Sequence, residues 1–309
     1  MALYLVIQVG AFLSRFIPRP WRYLIGTAVG DLVFFVWGLW GDKRNVLLAN
    51  TATVLDLPPR DPRVRHFALK SIRNYCKYLV EFLDLPNLDS EHKTVASMKI
   101  TGLENLLDAL DEGKGVILAS AHFGTIEVGG LRLADFTDFH AVYDTFRPEY
   151  LDRLIQRKRR EKGINLVGVS NVREMFRVLR SGGTLTMLFD RPVQRDKGVP
   201  VRFFGRETAV PAGPALLAMK TGAALLPVFM YRQPDRSFES VIYPPVTWTA
   251  TGEKDKDLQA IMQRLIDILQ SVVRARPDQW YMFRPMWPPA QSPVGIGAGE
   301  ALPTGSGER

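Results

Sequence analysis

The stretch Gly115–Gly130, GVILASAHFGTIEVGG, decides how the rest of the chain is read. It opens as a short run of Val, Ile, Leu and Ala, the composition of a strand buried on both faces, and stops abruptly at His122. Small residues follow, then an acid, Glu127, where the pattern turns helical. A buried strand that runs through a short turn into a helix is half of a βα unit. Open α/β sheets form their sites at the carboxyl ends of such strands, and His122 stands at that end.

Working outward, SMKITG, FHAVYD, INLVGV, GTLTMLFD, VPVRFF and ALLPVFMY are further short β-like runs. Helical segments are expected between many of them, around 103–112, 125–135, 149–162, 172–181 and 212–222. This alternation predicts an α/β fold with a mostly parallel or mixed central sheet flanked by helices. SFESVIYPPVTW adds a strand, and Asp255–Arg276 a closing helix with Leu258, Ile261, Met262, Leu265, Leu269 and Val272 inward. Upstream, DKRNVLLANTATVLDLPPRDP reads as a helix halted by Pro58 and Pro59. A second helix, about Pro62 to Leu83, carries Phe67, Ile72, Tyr75, Leu79 and Phe82 at near-helical spacing. The expected organisation is a hydrophobic helical segment over 1–41, an α/β domain over 42–288 and a disordered Gly/Pro/Ser-rich tail over 289–309.

Composition bounds the partners. With 309 residues, 46% of them hydrophobic, the chain can bury a full core. The formal net charge of +8 points to an anionic partner: nucleic acid, anionic lipid or a phosphorylated donor. The basic residues are not interleaved with exposed aromatics in any nucleic-acid-binding motif, which weighs against nucleic acid. The single cysteine, Cys76, excludes an internal disulfide and any cysteine-built metal site.

The N-terminus holds two apolar stretches separated by Arg15, Pro18, Arg19, Pro20 and Arg22. The second, Tyr23–Gly41, would reach roughly 28 Å as a helix, just enough to cross a bilayer, but Asp31 sits near its middle. Trp21, Trp37 and Trp40 with flanking basic residues favour a helical pair lying in the membrane interface. A true span and a core helix are the other readings.

The chemistry follows from His122. Residues five apart in one helix diverge by about 140°, so His122 and Glu127 pair only if the helix begins after the histidine. Glu127 would then accept one ring N–H and stabilise the imidazolium formed when the other nitrogen takes a proton. The bland reading makes His122 a strand cap and Glu127 a helix-dipole partner. No G-x-S-x-G elbow, zinc-ligand spacing, phosphate loop or dinucleotide fingerprint is present, so the nucleophile is a substrate hydroxyl by elimination.

HFGTIE matches the His-x4-Asp/Glu signature of lysophospholipid-type acyltransferases. Over roughly 1–288 the chain resembles the bacterial lipid A biosynthesis acyltransferases and the related phosphatidylinositol mannoside acyltransferases. The likeness rests on the hydrophobic start, GDKRNVLLAN, VILASAHFGTIEVGG, LFDRPVQRDKGVPVRFFGRETAVPAGPALLAMKTGAALLPVF and RPDQWYMFRPMW. Glycerolipid enzymes usually carry Glu-Gly-Thr-Arg where this chain has FDRPVQRD, which argues against glycerol 3-phosphate as acceptor. The resemblance implies acyl transfer from acyl-CoA or acyl carrier protein to a hydroxyl of a membrane glycolipid. It implies no cofactor or metal, an inner-membrane location at the cytoplasmic face, and His122 with Glu127 as catalytic pair. A lysophospholipid acceptor and a non-catalytic membrane scaffold are the alternatives.

Further residues have two readings each. Asp190 and Arg191 end the strand GTLTMLFD, on the same edge as His122 if the strands are parallel; a buried ion pair holding the sheet is an equal reading. Arg147 and the run Arg157, Lys158, Arg159 and Arg160 form either a solvated face or a site for lipid or donor phosphates or an acidic carrier. Phe203 and Phe204 line an acyl groove or pack in the core. The oxyanion donors are backbone N–H groups of Phe123–Thr125 or the Arg191 side chain.

Overall fold

A computed structural model describes residues 16–40, 42–84, 93–145 and 149–287. The first apolar stretch over 1–15, Arg147 and the tail expected over 289–309 lie outside the described residues.

The sheet is built as the alternation predicts. Its seven strands run β1 (Lys99–Thr101), β9 (Phe238–Ile242), β8 (Ala224–Arg232), β2 (Val116–Ser120), β5 (Thr184–Leu188), β3 (Phe139–Tyr143) and β4 (Asn165–Gly168) across it. Only β8 and β9 pair antiparallel; every other neighbouring pair is parallel. All five residues of β2 are buried, as expected of a strand with neighbours on both edges and helices on both faces.

The helices fall close to their expected bounds: α4 (Leu103–Asp111), α5 (Ile126–Leu133), α6 (Glu149–Arg160), α7 (Val172–Arg180), α8 (Gly213–Thr221) and α9 (Lys254–Ala275). Two core layers result, one of which sets Leu185, Phe229, Ile261 and Leu265 together and the other Leu118, Val128, Leu131 and Leu226.

One β-run departs from expectation. VPVRFF does not join the sheet; β6 (Val199–Phe203) pairs antiparallel with β7 (Arg206–Val210), a strand the sequence reading did not mark. The hairpin turns at Phe204 and Gly205, both at positive φ (49° and 73°), as a two-residue loop of the hairpin-favouring kind requires.

The upstream helices are α1 (Arg19–Trp40), α2 (Lys43–Leu55) and α3 (Pro62–Asp84). α2 ends before its prolines because Asp56 takes a left-handed cap (φ 53°), and Leu57 N–H donates to Ala52 O. α1 docks along α3 on one face only. Tyr23, Gly26, Gly30 and Phe34 are buried, and a Cβ at Gly30 would sit 2.9 Å from the Arg73 Cα. Small residues four apart thus let the two backbones approach closely. The awkward Asp31 is matched by Arg73 of α3, whose Nε and Nη2 donate to it at 2.6 and 2.9 Å. A buried knot fastens the far end: Glu81 accepts from Tyr23 Oη at 2.6 Å and from Arg232 at 2.6 and 2.8 Å, tying α1, α3 and β8.

Candidate active site

Strand register determines the neighbour of His122. β2 and β5 pair parallel with Ser120 opposite Leu188. Continuing two residues past both strand ends brings His122 beside Asp190. The imidazole Nδ1 lies 2.7 Å from Asp190 Oδ1, and the His122 backbone N–H donates to Oδ2 at 3.0 Å. Trp280 Nε1 donates to the same Oδ2 at 3.0 Å. Asp190 is fully buried. Burial opposes its ionisation, but the His122 charge and the hydrogen bonds from His122 and Trp280 outweigh it and hold the carboxyl below the usual aspartate range. A carboxylate only accepts, so Nδ1 carries the proton and Nε2 is left as the basic nitrogen.

Asp190, and not the expected Glu127, is thus the hydrogen-bond partner of His122. α5 begins at Ile126, and Gly124 (φ 61°) turns the chain into it; a Cβ there would collide with the Met230 carbonyl oxygen. In that turn the ring faces β5, and Glu127 in the first turn of α5 takes other partners. Arg159 grips it with both arms, Nε to Oε2 at 3.1 Å and Nη2 to Oε1, and Tyr78 Oη donates to Oε1 at 3.4 Å. Burial works against the Arg159 charge, but the adjacent Glu127 outweighs it and keeps the guanidinium protonated. Burial, then Glu127, pushes the Tyr78 phenol up.

His122 and Glu127 still share one site, because both line a cavity of about 490 Å³. Its walls are mostly apolar: Leu79 and Phe82 from α3, Ile126, Phe139, Val142 and Leu188. Tyr75, Tyr78 and Tyr281 form an aromatic rim, with ring centroids 5.3–5.9 Å apart. The apolar stripe of α3 therefore serves as a cavity wall as well as packing surface.

The segment after α9 straps the histidine loop. Gly124 N–H donates to Gln279 O at 2.8 Å, and Tyr281 N–H to His122 O at 2.8 Å. Thr125 N–H goes to Met230 O and Phe123 N–H to Ala121 O. The backbone donors over Phe123–Thr125 are thus committed to carbonyls. Arg191, the other expected source, is exposed and lines the same cavity.

The remaining expected residues separate. Arg157 is exposed and lies 3.5 Å from Glu161, as a solvated face predicts, whereas Arg159 of the same run turns inward. The Lys158 side chain lies outside what is described. Phe203 is fully buried against Trp280 and Trp287, and Phe204 packs beside it; neither lines the cavity, so both take the core reading. Sequence reasoning missed Tyr78, Trp280 and Tyr281. The available signal was the aromatic spacing on α3 and the aromatic cluster in RPDQWYMF.

The profile described as bacterial lipid A biosynthesis acyltransferase matches residues 1–288. The phosphatidylinositol mannoside acyltransferase of Mycolicibacterium smegmatis is 32% identical over 247 residues, covering 78% of each chain. The lipid A biosynthesis lauroyltransferase of Escherichia coli is 24% identical over 79% of this chain and 76% of its own. The palmitoleoyltransferase of that organism is 27% identical over 59% and 58%. A His–Asp pair opening on an apolar cavity, within a match of this extent, leads to one conclusion: the chain belongs to the bacterial lipid A biosynthesis acyltransferase family and is an acyltransferase.

Proposed function

We propose that the protein is a membrane-associated O-acyltransferase that moves a fatty acyl chain from a thioester donor, acyl-CoA or acyl carrier protein, to a hydroxyl of a membrane glycolipid. The carrying observation is His122 Nδ1 held by a buried carboxylate, with the ring bordering an apolar cavity of about 490 Å³. His122 Nε2 removes the acceptor hydroxyl proton as that oxygen attacks the thioester carbonyl carbon. Asp190 fixes the tautomer and stabilises the imidazolium. Arg191 offsets the charge on the tetrahedral oxygen. The intermediate collapses with cleavage of the C–S bond, and the thiolate takes the proton back from Nε2. With a thiol pKa near about 8.5 it needs little help. Glu127 and Arg159 neutralise one another in the cavity wall and keep its shape.

The acceptor is of the phosphatidylinositol mannoside type in preference to the lipid A type. Identity to the mannoside enzyme is higher, over as much of the chain, than to the lauroyl enzyme. Membrane contact is supported by α1, whose outward side carries Trp21, Leu24, Ile25, Leu32, Phe35 and Leu39 exposed while the opposite side is docked on α3. A helix so docked fits the interface at the cytoplasmic face, where thioester donors reside. The test incubates full-length protein with labelled acyl-CoA or acyl carrier protein and either phosphatidylinositol mannosides or lipid A precursors. Labelled mannoside product, absent with His122→Ala, is expected. Acylation of lipid A precursors alone would overturn the acceptor assignment, and no acylation of either would overturn the reading.

A further inference from the structure

A second cleft, of about 840 Å³, lies on the other side of α3 from the His122 cavity. Tyr75, Tyr78 and Phe82 face the cavity, while Lys70, Asn74 and Lys77, spaced four and three apart on the helix, face the cleft. The cleft is strongly basic. Two of its cations are matched, Lys70 to Asp278 at 3.2 Å and Arg232 to Glu81. Four more, Lys77, Arg236, Arg274 and Arg276, line it without an ion-pair partner among the described residues. The Arg276 guanidinium carbon sits over the Tyr231 ring, 3.9 Å from its centroid, and that of Arg274 5.7 Å from the centroid of Phe204. Burial, then the charges of Arg232, Arg73 and Arg236, push the Lys77 ammonium below its ordinary value, and Glu81 offsets this only in part. Such crowding of like charge is what a bound anion relieves.

The wall opposite these cations belongs to α1. Pro20, Tyr23, Leu24 and Thr27 line the cleft, and Leu24, 58% exposed, is also a member of the outward apolar stripe. Basic cleft and apolar stripe are therefore continuous. An ion alone would use the cations and leave the stripe bare, whereas an amphiphile with an anionic head uses both.

We propose that this cleft is a lipid site separate from the site of acyl transfer, taking the phosphate of an anionic membrane phospholipid among Lys77, Arg236, Arg274 and Arg276, with its acyl chains along the α1 stripe. It rests on the reading that α1 lies at the membrane surface, and it ties the enzyme to anionic bilayers in an orientation set by α3.

The test is sedimentation of detergent-freed full-length protein with vesicles of phosphatidylcholine alone or with about a third phosphatidylglycerol, at about 0.15 M salt. Wild type is expected to favour the anionic vesicles. Lys77→Gln/Arg236→Gln should lower that partition by about 25-fold, from about fivefold per charge near the surface. Arg173→Gln/Arg180→Gln removes the same charge from the exposed face of α7 and should change it by less than about threefold. If the double variant fails to fold by circular dichroism, Arg236→Gln alone should give about a fivefold loss. Equal losses from both charge pairs would overturn the site in favour of diffuse attraction. Equal binding of wild type to neutral and anionic vesicles would overturn the headgroup site while leaving α1 at the membrane, and binding to neither would overturn both. Inorganic phosphate that stabilises wild type but not the double variant, without any vesicle difference, would assign the cleft to a free anion and overturn the lipid.

Discussion

Replacing Asp190 by Asn isolates the tautomer from the packing. Asp190 Oδ2 accepts from the His122 backbone N–H and from Trp280 Nε1, both at 3.0 Å, while Oδ1 alone faces Nδ1 at 2.7 Å. An asparagine that keeps its oxygen at the Oδ2 position preserves both N–H bonds. Its amide NH2 then occupies the Oδ1 position and donates to Nδ1. The imidazole must accept there, which moves its proton to Nε2 and blocks the nitrogen that should take the acceptor proton. The loss is that of a general base, about 10²- to 10⁴-fold in kcat, or about 2.7–5.5 kcal/mol of barrier. KM should change little, because the cavity walls are untouched. Single-turnover acyl transfer, with circular dichroism to confirm folding, measures it. A folded Asp190→Asn protein within tenfold of wild type would refute the assigned pair.

Glu127→Gln should behave differently, removing the carboxylate that Arg159 hydrogen-bonds and leaving only the more weakly acting Asp152. The low end of the range for breaking a buried pair applies, about 3 kcal/mol, because the Arg159 side chain retains 24% exposure. Urea unfolding checks this, and Glu127→Gln/Arg159→Met should recover most of the loss; no recovery would mean that the two side chains act independently. Asp190 also predicts a pH effect. Its folded pKa is depressed, so its ionised form stabilises the fold above the ordinary aspartate value near about 4, and that contribution fades as pH falls through the lower folded value. Acid unfolding monitored by fluorescence should show this component in wild type and lack it in Asp190→Asn.

How far the sequence carried the fold depended on the range of the interactions. The strands and helices from β1 to β5 were legible because apolar runs and helical periodicity are local signals, and β2 announced itself by composition. The β6–β7 hairpin was not, since its turn puts Phe204, a bulky residue, at positive φ, against local preference. For the site, His122 at a strand end was legible from one βα unit. Its partner was not, because His-x4-Glu is close in sequence while Asp190 is 68 residues away and becomes adjacent only through the β2–β5 register. Arg159 was hidden for a similar reason. In a run of four basic residues, nothing local tells which one points inward; the position of α6 against the cavity selects it. On α1, Asp31 read as an obstacle to crossing a bilayer, and its partner Arg73 lies 42 residues away on α3.

The central claim is that His122 is held as a base by Asp190. Proton NMR of the imidazole N–H groups in wild type, Asp190→Asn and Glu127→Gln tests it most directly. The account predicts a far-downfield Nδ1 proton in wild type that persists in Glu127→Gln and disappears in Asp190→Asn. A signal that survives in Asp190→Asn and is lost in Glu127→Gln would contradict it.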